Sequence, residues 1–433
     1  MTDFIDELSW RGLIAVSTDL DDLRKVLDAG PVTLYCGFDP TAPSMHIGNL
    51  VQLLTLRRFQ LAGHRPISLV GGATGLIGDP GGKSAERVLN PRELVAEWVE
   101  HLREQMRSFL DFEPGPAAAR LVSNMEWTEN LLTLDFLRDV GKHFSVNRMI
   151  AREAVKARLE GGGISYTEFS YQILQAYDFL QLHQRYGCVL QVGGSDQWGN
   201  LVSGVDLIGR VTGDAAHALA TPLITKPDGT KYGKSEGGAV WLSPDLMSPY
   251  AFYQFWLNVS DAEVPNLLRV FSFKSREEIE ALSEQTVARP ALRAGQRALA
   301  EEVTTLVHGA SECASAVAAS QALFGQGELA GIDERTLSAV WAEVPHASIQ
   351  ASDQGKLPTV ADLMAATGIV PSKSAGRRAI AEGGAYVNNQ RVGSQDAAAT
   401  RSELLHGRYI ILRRGKRTVG AVQIAADSDD SVA

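Results

Sequence analysis

The chain has 433 residues, 45% of them hydrophobic and 21% charged, with a formal net charge of -10. That length exceeds one ordinary core, so two or three domains are expected, and the composition excludes a disordered or fibrous chain. The three cysteines, Cys36, Cys188 and Cys313, show no short spacing and the nine histidines form no ligand pattern, which argues against a disulfide framework or a protein-held metal.

Residues 1–7 are acidic, with no basic region ahead of an apolar core, and no apolar run reaches membrane-spanning length. A cytosolic protein with no membrane partner is therefore expected. Residues 32–38 read as a buried strand, broken by Asp39, Pro40, Thr41, Ala42 and Pro43 before a helix carrying Leu50, Leu53, Leu54 and Leu56. Residues 67–72 repeat the strand pattern and run into a glycine-rich loop at 75–82. Further strands are expected at 120–123 and 188–192, with amphipathic helices at 91–110 and 168–186. Strands alternating with helices predict an α/β fold with a Rossmann-like, doubly wound parallel sheet, whose ligand crevice lies beyond the carboxyl ends of the strands.

This catalytic-type domain is expected to span 1–248, followed by a helical domain at 249–343, a polar linker at 344–356, a small α+β module at 357–423 and an acidic tail at 424–433. The module contains ten Lys/Arg against four Asp/Glu, whereas the chain as a whole is acidic. A basic appendage on an acidic body suits a small-molecule enzyme that also grips RNA.

Two short motifs carry the chemistry. The first is His46-Ile47-Gly48-Asn49 at a helix start, where an imidazole, a helix N-terminus and a glycine without a side chain can meet a phosphate. The second, Lys231-Tyr232-Gly233-Lys234-Ser235, lies about 180 residues later on a turn-rich segment and offers two ammonium groups to a departing pyrophosphate. No Walker A loop is present. Taken singly, a helix cap and a solvated basic loop are the commoner explanations.

Together with Tyr35-Cys36-Gly37-Phe38-Asp39-Pro40-Thr41, Gly75-Leu76-Ile77-Gly78-Asp79-Pro80 and Gln191-Val192-Gly193-Gly194-Ser195-Asp196-Gln197, these motifs resemble the bacterial-type class I tyrosyl-tRNA synthetases. The resemblance covers nearly the whole chain. It implies a tyrosine–tRNA ligase that forms tyrosyl-adenylate from L-tyrosine and ATP, with Mg2+ accompanying ATP and no protein-bound cofactor, and then charges tRNA(Tyr). It assigns His46, Asn49, Lys83, Arg87, Lys231 and Lys234 to catalysis. Cys36, Gly37, Asp39, His46, Gly48, Gly194, Asp196, Gln197 and Lys234 fall to the ATP and adenylate site. Tyr35 and Asp178 fall to the phenol of tyrosine, and Asp79, Tyr171 and Gln175 to its ammonium. Tyr171, Gln175 and Asp178 share one face of the expected 168–186 helix.

The resemblance further implies that Lys373, Arg377 and Arg378 bind RNA, that residues of about 127–163 form a connective insertion with a dimer contact, and that the protein is a homodimer. Asn49 departs from the family's usual second histidine, and its amide can still donate a hydrogen bond. Competing readings are a tryptophanyl enzyme of the same architecture, an RNA-binding descendant without activity, and a generic nucleotidyl transferase.

Overall fold

The computed structural model describes residues 3–81, 89–225, 232, 239–325, 327–350, 357–415 and 417–425. The chain divides into two compact units, Met1–Leu246 with Ser260–Pro290 and Met247–Val259 with Ala291–Ala433.

The first unit is built on a sheet of β1 (Val16–Ser17), β2 (Thr33–Phe38), β3 (Arg65–Val70), β4 (Arg120–Ser123), β5 (Cys188–Gly194) and β6 (His217–Thr221), in the order β1-β6-β5-β2-β3-β4. All neighbours are parallel except the edge strand β1, which pairs antiparallel with β6. The chain steps from β2 outward through β3 and β4, then resumes on the other side of β2 with β5 and β6. The strand order thus reverses between β2 and β5, and a crevice opens there beyond their carboxyl ends. Strand β2 is buried at every position except Gly37, because helices cover both faces of a parallel sheet. The expected α/β, doubly wound class is the one observed.

Helix Tyr166–Tyr186 starts on the Ser165 side chain and ends at Gly187, whose φ of 62° is the left-handed geometry that glycine adopts without strain before β5 begins. Helices Val264–Phe271 and Arg276–Ala288, assigned from sequence to the helical domain, belong to the first unit instead. Buried Arg11 donates to the carbonyls of Arg269, Ser272 and Lys274, and buried Arg58 donates to those of Val270 and Ser272. The last carbonyls of helix Val264–Phe271 are satisfied in this way by side chains from the distant N-terminal region, a link no local periodicity reveals.

In the second unit, helices Pro249–Leu257, Ala294–His308, Ala310–Leu323 and Glu334–Glu343 precede a five-stranded sheet. Its strands are β7 (His346–Ile349), β8 (Ala385–Val387), β9 (Gln390–Arg391), β10 (Tyr409–Arg414) and β11 (Thr418–Ile424), in the order β7-β11-β10-β8-β9. Helices Val360–Ala366 and Lys373–Ala381 contribute to its core with Leu363, Met364 and Ile380 against Ile410, Leu412 and Val422. Strand β7 lies within the segment read as a linker: it pairs parallel with β11, His346 opposite Ala421, a partner 75 residues away that local polarity could not announce. Ile424, placed in the acidic tail from sequence, closes β11, and residues 426–433 of that tail lie outside the described residues.

Candidate active site

Of the described residues singled out from sequence, Asp39, Asp79, Gly194, Asp196 and Gln197 lie at or just beyond the carboxyl ends of β2, β3 and β5, where hydrogen bonds join Asp39 to Tyr171 and Asp79 to Gln197. Tyr35 is 1% exposed on β2, packs its ring 5.2 Å from Phe179, and has a hydroxyl with no partner among the described residues. Burial pushes that phenol well above its ordinary pKa, and the charge of Asp178 raises it further. Asp178 is itself 3% exposed. Its Oδ1 accepts from Trp127 Nε1 at 2.8 Å and its Oδ2 from Asn124 Nδ2 at 3.0 Å. Burial nevertheless lifts its pKa to about 7, because two neutral donors replace only part of the lost hydration.

About two helical turns away on the same face, Tyr171 donates its hydroxyl to Asp39 Oδ2 at 2.6 Å. Burial and the neighbouring carboxylates of Asp39 and Asp79 hold the Tyr171 phenol protonated. Gln175, between them, is half-buried. Asp79 accepts from Gln197 Nε2 at 2.5 Å, which ties the loop after β3 to the turn after β5. Gly194 is the cap of that turn, and a Cβ there would lie 2.8 Å from Asp196 Oδ1. Cys36 is buried and its thiol pushed up to about 12, so it is no nucleophile at neutral pH.

His46 is the N-cap of helix Ile47–Leu61. Its Nδ1 accepts from Gly48 N at 3.0 Å while Asn49 Oδ1 accepts from His46 N at 3.0 Å. The four-residue motif is therefore a reciprocal capping box, and Asn49 uses its carbonyl for the cap while its amide Nδ2 remains available to a ligand. A Cβ at Gly48 would stand 2.8 Å from His46 Cε1, so the glycine makes room for the imidazole.

The segment leaving the second motif returns beside the first, with Ile47 N bonded to Val240 O and Leu242 N to Met45 O, both at 2.9 Å. Tyr232, inside the second motif, donates to the Glu263 carboxylate. Lys83, Arg87, Lys231 and Lys234 lie outside the described residues.

Sequence reasoning missed Asn124 and Trp127 as ligands of Asp178, and Thr74 beside Asp39. Their position just past the ends of β4 and β3, where a doubly wound sheet places its site, was the available signal. In the second unit Lys373, Arg377 and Arg378 are all exposed on helix Lys373–Ala381. Two of them are paired: Lys373 with Asp362 at 2.7 Å and Arg377 with Asp396 at 2.7 Å.

The family profile described as tRNA synthetases class I (W and Y) matches residues 27–325. The chain belongs to this family. A second profile, Tyrosine--tRNA ligase SYY-like C-terminal domain, matches residues 337–420. Among curated relatives, the Tyrosine--tRNA ligase of Streptomyces avermitilis is 62% identical over 426 residues, 98% of this chain and 99% of that protein. That of Thermobifida fusca is 60% identical over 431 residues, 98% of this chain and 99% of that protein. The crystal structure of a C-terminally truncated mitochondrial tyrosyl-tRNA synthetase from Aspergillus nidulans superposes with a TM-score of 0.69 at 30% identity, covering 75% of this chain and 95% of that one. Among the described residues no cluster of His, Cys, Asp and Glu could hold a metal ion, and no helix is long and apolar enough to cross a membrane.

Proposed function

We propose that the chain is a tyrosine–tRNA ligase, which converts L-tyrosine and ATP to tyrosyl-adenylate and pyrophosphate and then passes the tyrosyl group to the 3′ end of tRNA(Tyr). The observation that carries this reading is the enclosed Tyr35 hydroxyl beside the buried Asp178 carboxylate. Such a pair is costly to bury, and a ligand with a hydroxyl at the far end of its ring would supply the partner that the Tyr35 hydroxyl lacks among the described residues. Phenylalanine would leave the Tyr35 hydroxyl without a partner and Asp178 with only its two neutral donors, a mode of rejection for which tyrosyl enzymes are the standing example.

In this reading Asp79, Tyr171 and Gln175 receive the ammonium, and the substrate carboxylate points toward the end of β2. That carboxylate is ionised at neutral pH and attacks the α-phosphorus of ATP, breaking the bond to pyrophosphate, so the step needs positioning and charge stabilisation rather than a general base. His46 and Asn49, at a helix N-terminus, serve the phosphates, with Lys83, Arg87, Lys231 and Lys234 assigned to the pyrophosphate by sequence match. Cys36, Gly37, Asp39, Gly48, Gly194, Asp196 and Gln197 line the nucleotide side, and Mg2+ enters with ATP as part of the substrate. In the second step a terminal ribose hydroxyl attacks the carbonyl carbon and AMP departs.

The exposed Lys373, Arg377 and Arg378 serve the phosphates of tRNA. The homodimer reading is supported by Leu132, Leu134, Leu137, Val146, Ile150, Leu159 and Tyr166, large apolar side chains exposed in and beside the 127–163 insertion. A monomer mass in light scattering at working concentration, with activity retained, would remove it. The location proposed for the enzyme is the cytoplasm.

The testing experiment is ATP–pyrophosphate exchange driven by tyrosine, phenylalanine or tryptophan. Exchange with tyrosine alone supports the reading; exchange with tryptophan alone moves the chain to the other branch of its family, and none at all moves it to RNA binding without activation.

A further inference from the structure

Between the amino-acid and nucleotide ends of the site runs a buried hydrogen-bond circuit whose middle members have no assigned role. Asn124 is 0% exposed and Thr74 is 3% exposed. Asn124 Oδ1 accepts from Ala73 N at 2.8 Å, which fixes the orientation of its amide and leaves Nδ2 with two hydrogens to give. One goes to Asp178 Oδ2 at 3.0 Å and the other to Thr74 Oγ1 at 2.9 Å. Thr74, accepting from Asn124, donates its only hydroxyl hydrogen to Asp39 Oδ1 at 2.7 Å. The other oxygen of Asp39 accepts from Tyr171, which lies on the same helix as Asp178.

The circuit closes: Asp178, Asn124, Thr74, Asp39, Tyr171 and back along the helix. Every hydrogen along its polar arm points outward from Asn124, toward one carboxylate directly and toward the other through the threonine. The backbone is shaped for it, since a Cβ on Gly71 would stand 1.9 Å from Asp39 Oδ1 and 2.4 Å from Thr74 Oγ1.

We propose that Thr74 is a positioning residue that couples the two ends of the site, so that a ligand settling on Asp178 also fixes Asp39 for the nucleotide. The proposal rests on the assignment of Asp178 to tyrosine and Asp39 to the nucleotide side. A chain of satisfied hydrogen bonds in a dry interior has one good arrangement, and displacing either carboxylate strains its neighbour. Occupying one end therefore lowers the cost of ordering the other, and linkage makes the effect reciprocal.

The test is the tyrosine dissociation constant of the full-length protein, measured by equilibrium dialysis with and without a saturating non-hydrolysable ATP analogue. The wild type should bind tyrosine about tenfold more tightly with the analogue present, toward the lower end of the usual range for coupled sites. Thr74→Val keeps the packing and removes the hydroxyl, and should bring the ratio close to one. Thr74→Ser keeps the hydroxyl and should restore it. A residue that merely fills space would give the opposite pattern, with valine benign and serine harmful. An unchanged ratio in Thr74→Val, a ratio of one in the wild type, or a serine variant that behaves like valine would each overturn the coupling. Asp178→Asn serves as the separate control: undiminished tyrosine binding there would sink the site assignment itself.

Discussion

The proposed tyrosine end of the site and the basic helix Lys373–Ala381 both carry charged side chains, yet they are built on opposite principles. Asp178 sits dry between Trp127 and Asn124, its charge made costly by burial. Lys373 and Arg377 stand in water, each already beside a carboxylate of its own module. A buried charge discriminates sharply because an ill-matched ligand leaves it unpaired, whereas exposed charges contribute small, screened and roughly additive increments. Under the proposed function, selection of one amino acid would belong to the first kind of site and the holding of a long polyanion to the second.

The largest effect is expected at Asp178. Asp178→Asn should lower kcat/KM for tyrosine in the exchange assay by about a thousandfold, the combined cost of a lost charged hydrogen bond and a buried group left mismatched. A loss under tenfold would erase the contrast between the two regions. The same substitution has a signature in stability. The folded-state pKa of Asp178, about 7, lies above the ordinary carboxylate value of 3.8. The folded chain therefore holds this proton longer than the unfolded chain, and stability falls as pH rises from about 4 to 7 and levels off above. That slope, on the order of a few kcal/mol across the window, should be absent from a Tm-against-pH series of Asp178→Asn.

Next in size is Lys234→Ala, expected to slow tyrosyl-adenylate formation by about a hundredfold while leaving tyrosine binding nearly intact, as for removal of one electrostatic contact to a transition state. Single-turnover adenylate formation against a tyrosine titration separates the two, and an unchanged activation rate would withdraw the lysine from its role.

The smallest effects belong to the basic helix. Replacing Lys373, Arg377 and Arg378 together by Gln should weaken tRNA binding by about tenfold at moderate salt, flatten its log–log salt dependence by at most three charges, and leave pyrophosphate exchange untouched. Because Lys373 and Arg377 share their charge with Asp362 and Asp396, Arg378→Gln should account for the largest single part. Equal loss from all three would mean that the intramodular pairs open on binding.

Much of the first unit was legible because its signals are local. The apolar run of β2, the Ser165 cap and the glycine stop of helix Tyr166–Tyr186 are written in neighbouring residues, and the seven-residue spacing of Tyr171 and Asp178 alone puts both on one helix face. The motif at His46 was legible as a helix start, and the basic balance of the C-terminal module as a charge split.

Tertiary structure decided what depends on partners distant in sequence. It bonded Trp127 and Asn124 to Asp178 and joined Thr74 to Asp39. It drew helix Val264–Phe271 into the first unit through Arg11 and Arg58, and made a strand of His346–Ile349 by giving it β11. Sequence fixes which groups a segment can offer, through periodicity, caps and turns, because those are properties of adjacent residues. Which of those groups are buried, and which donor meets which acceptor, is settled only when segments far apart in the chain exclude water between them.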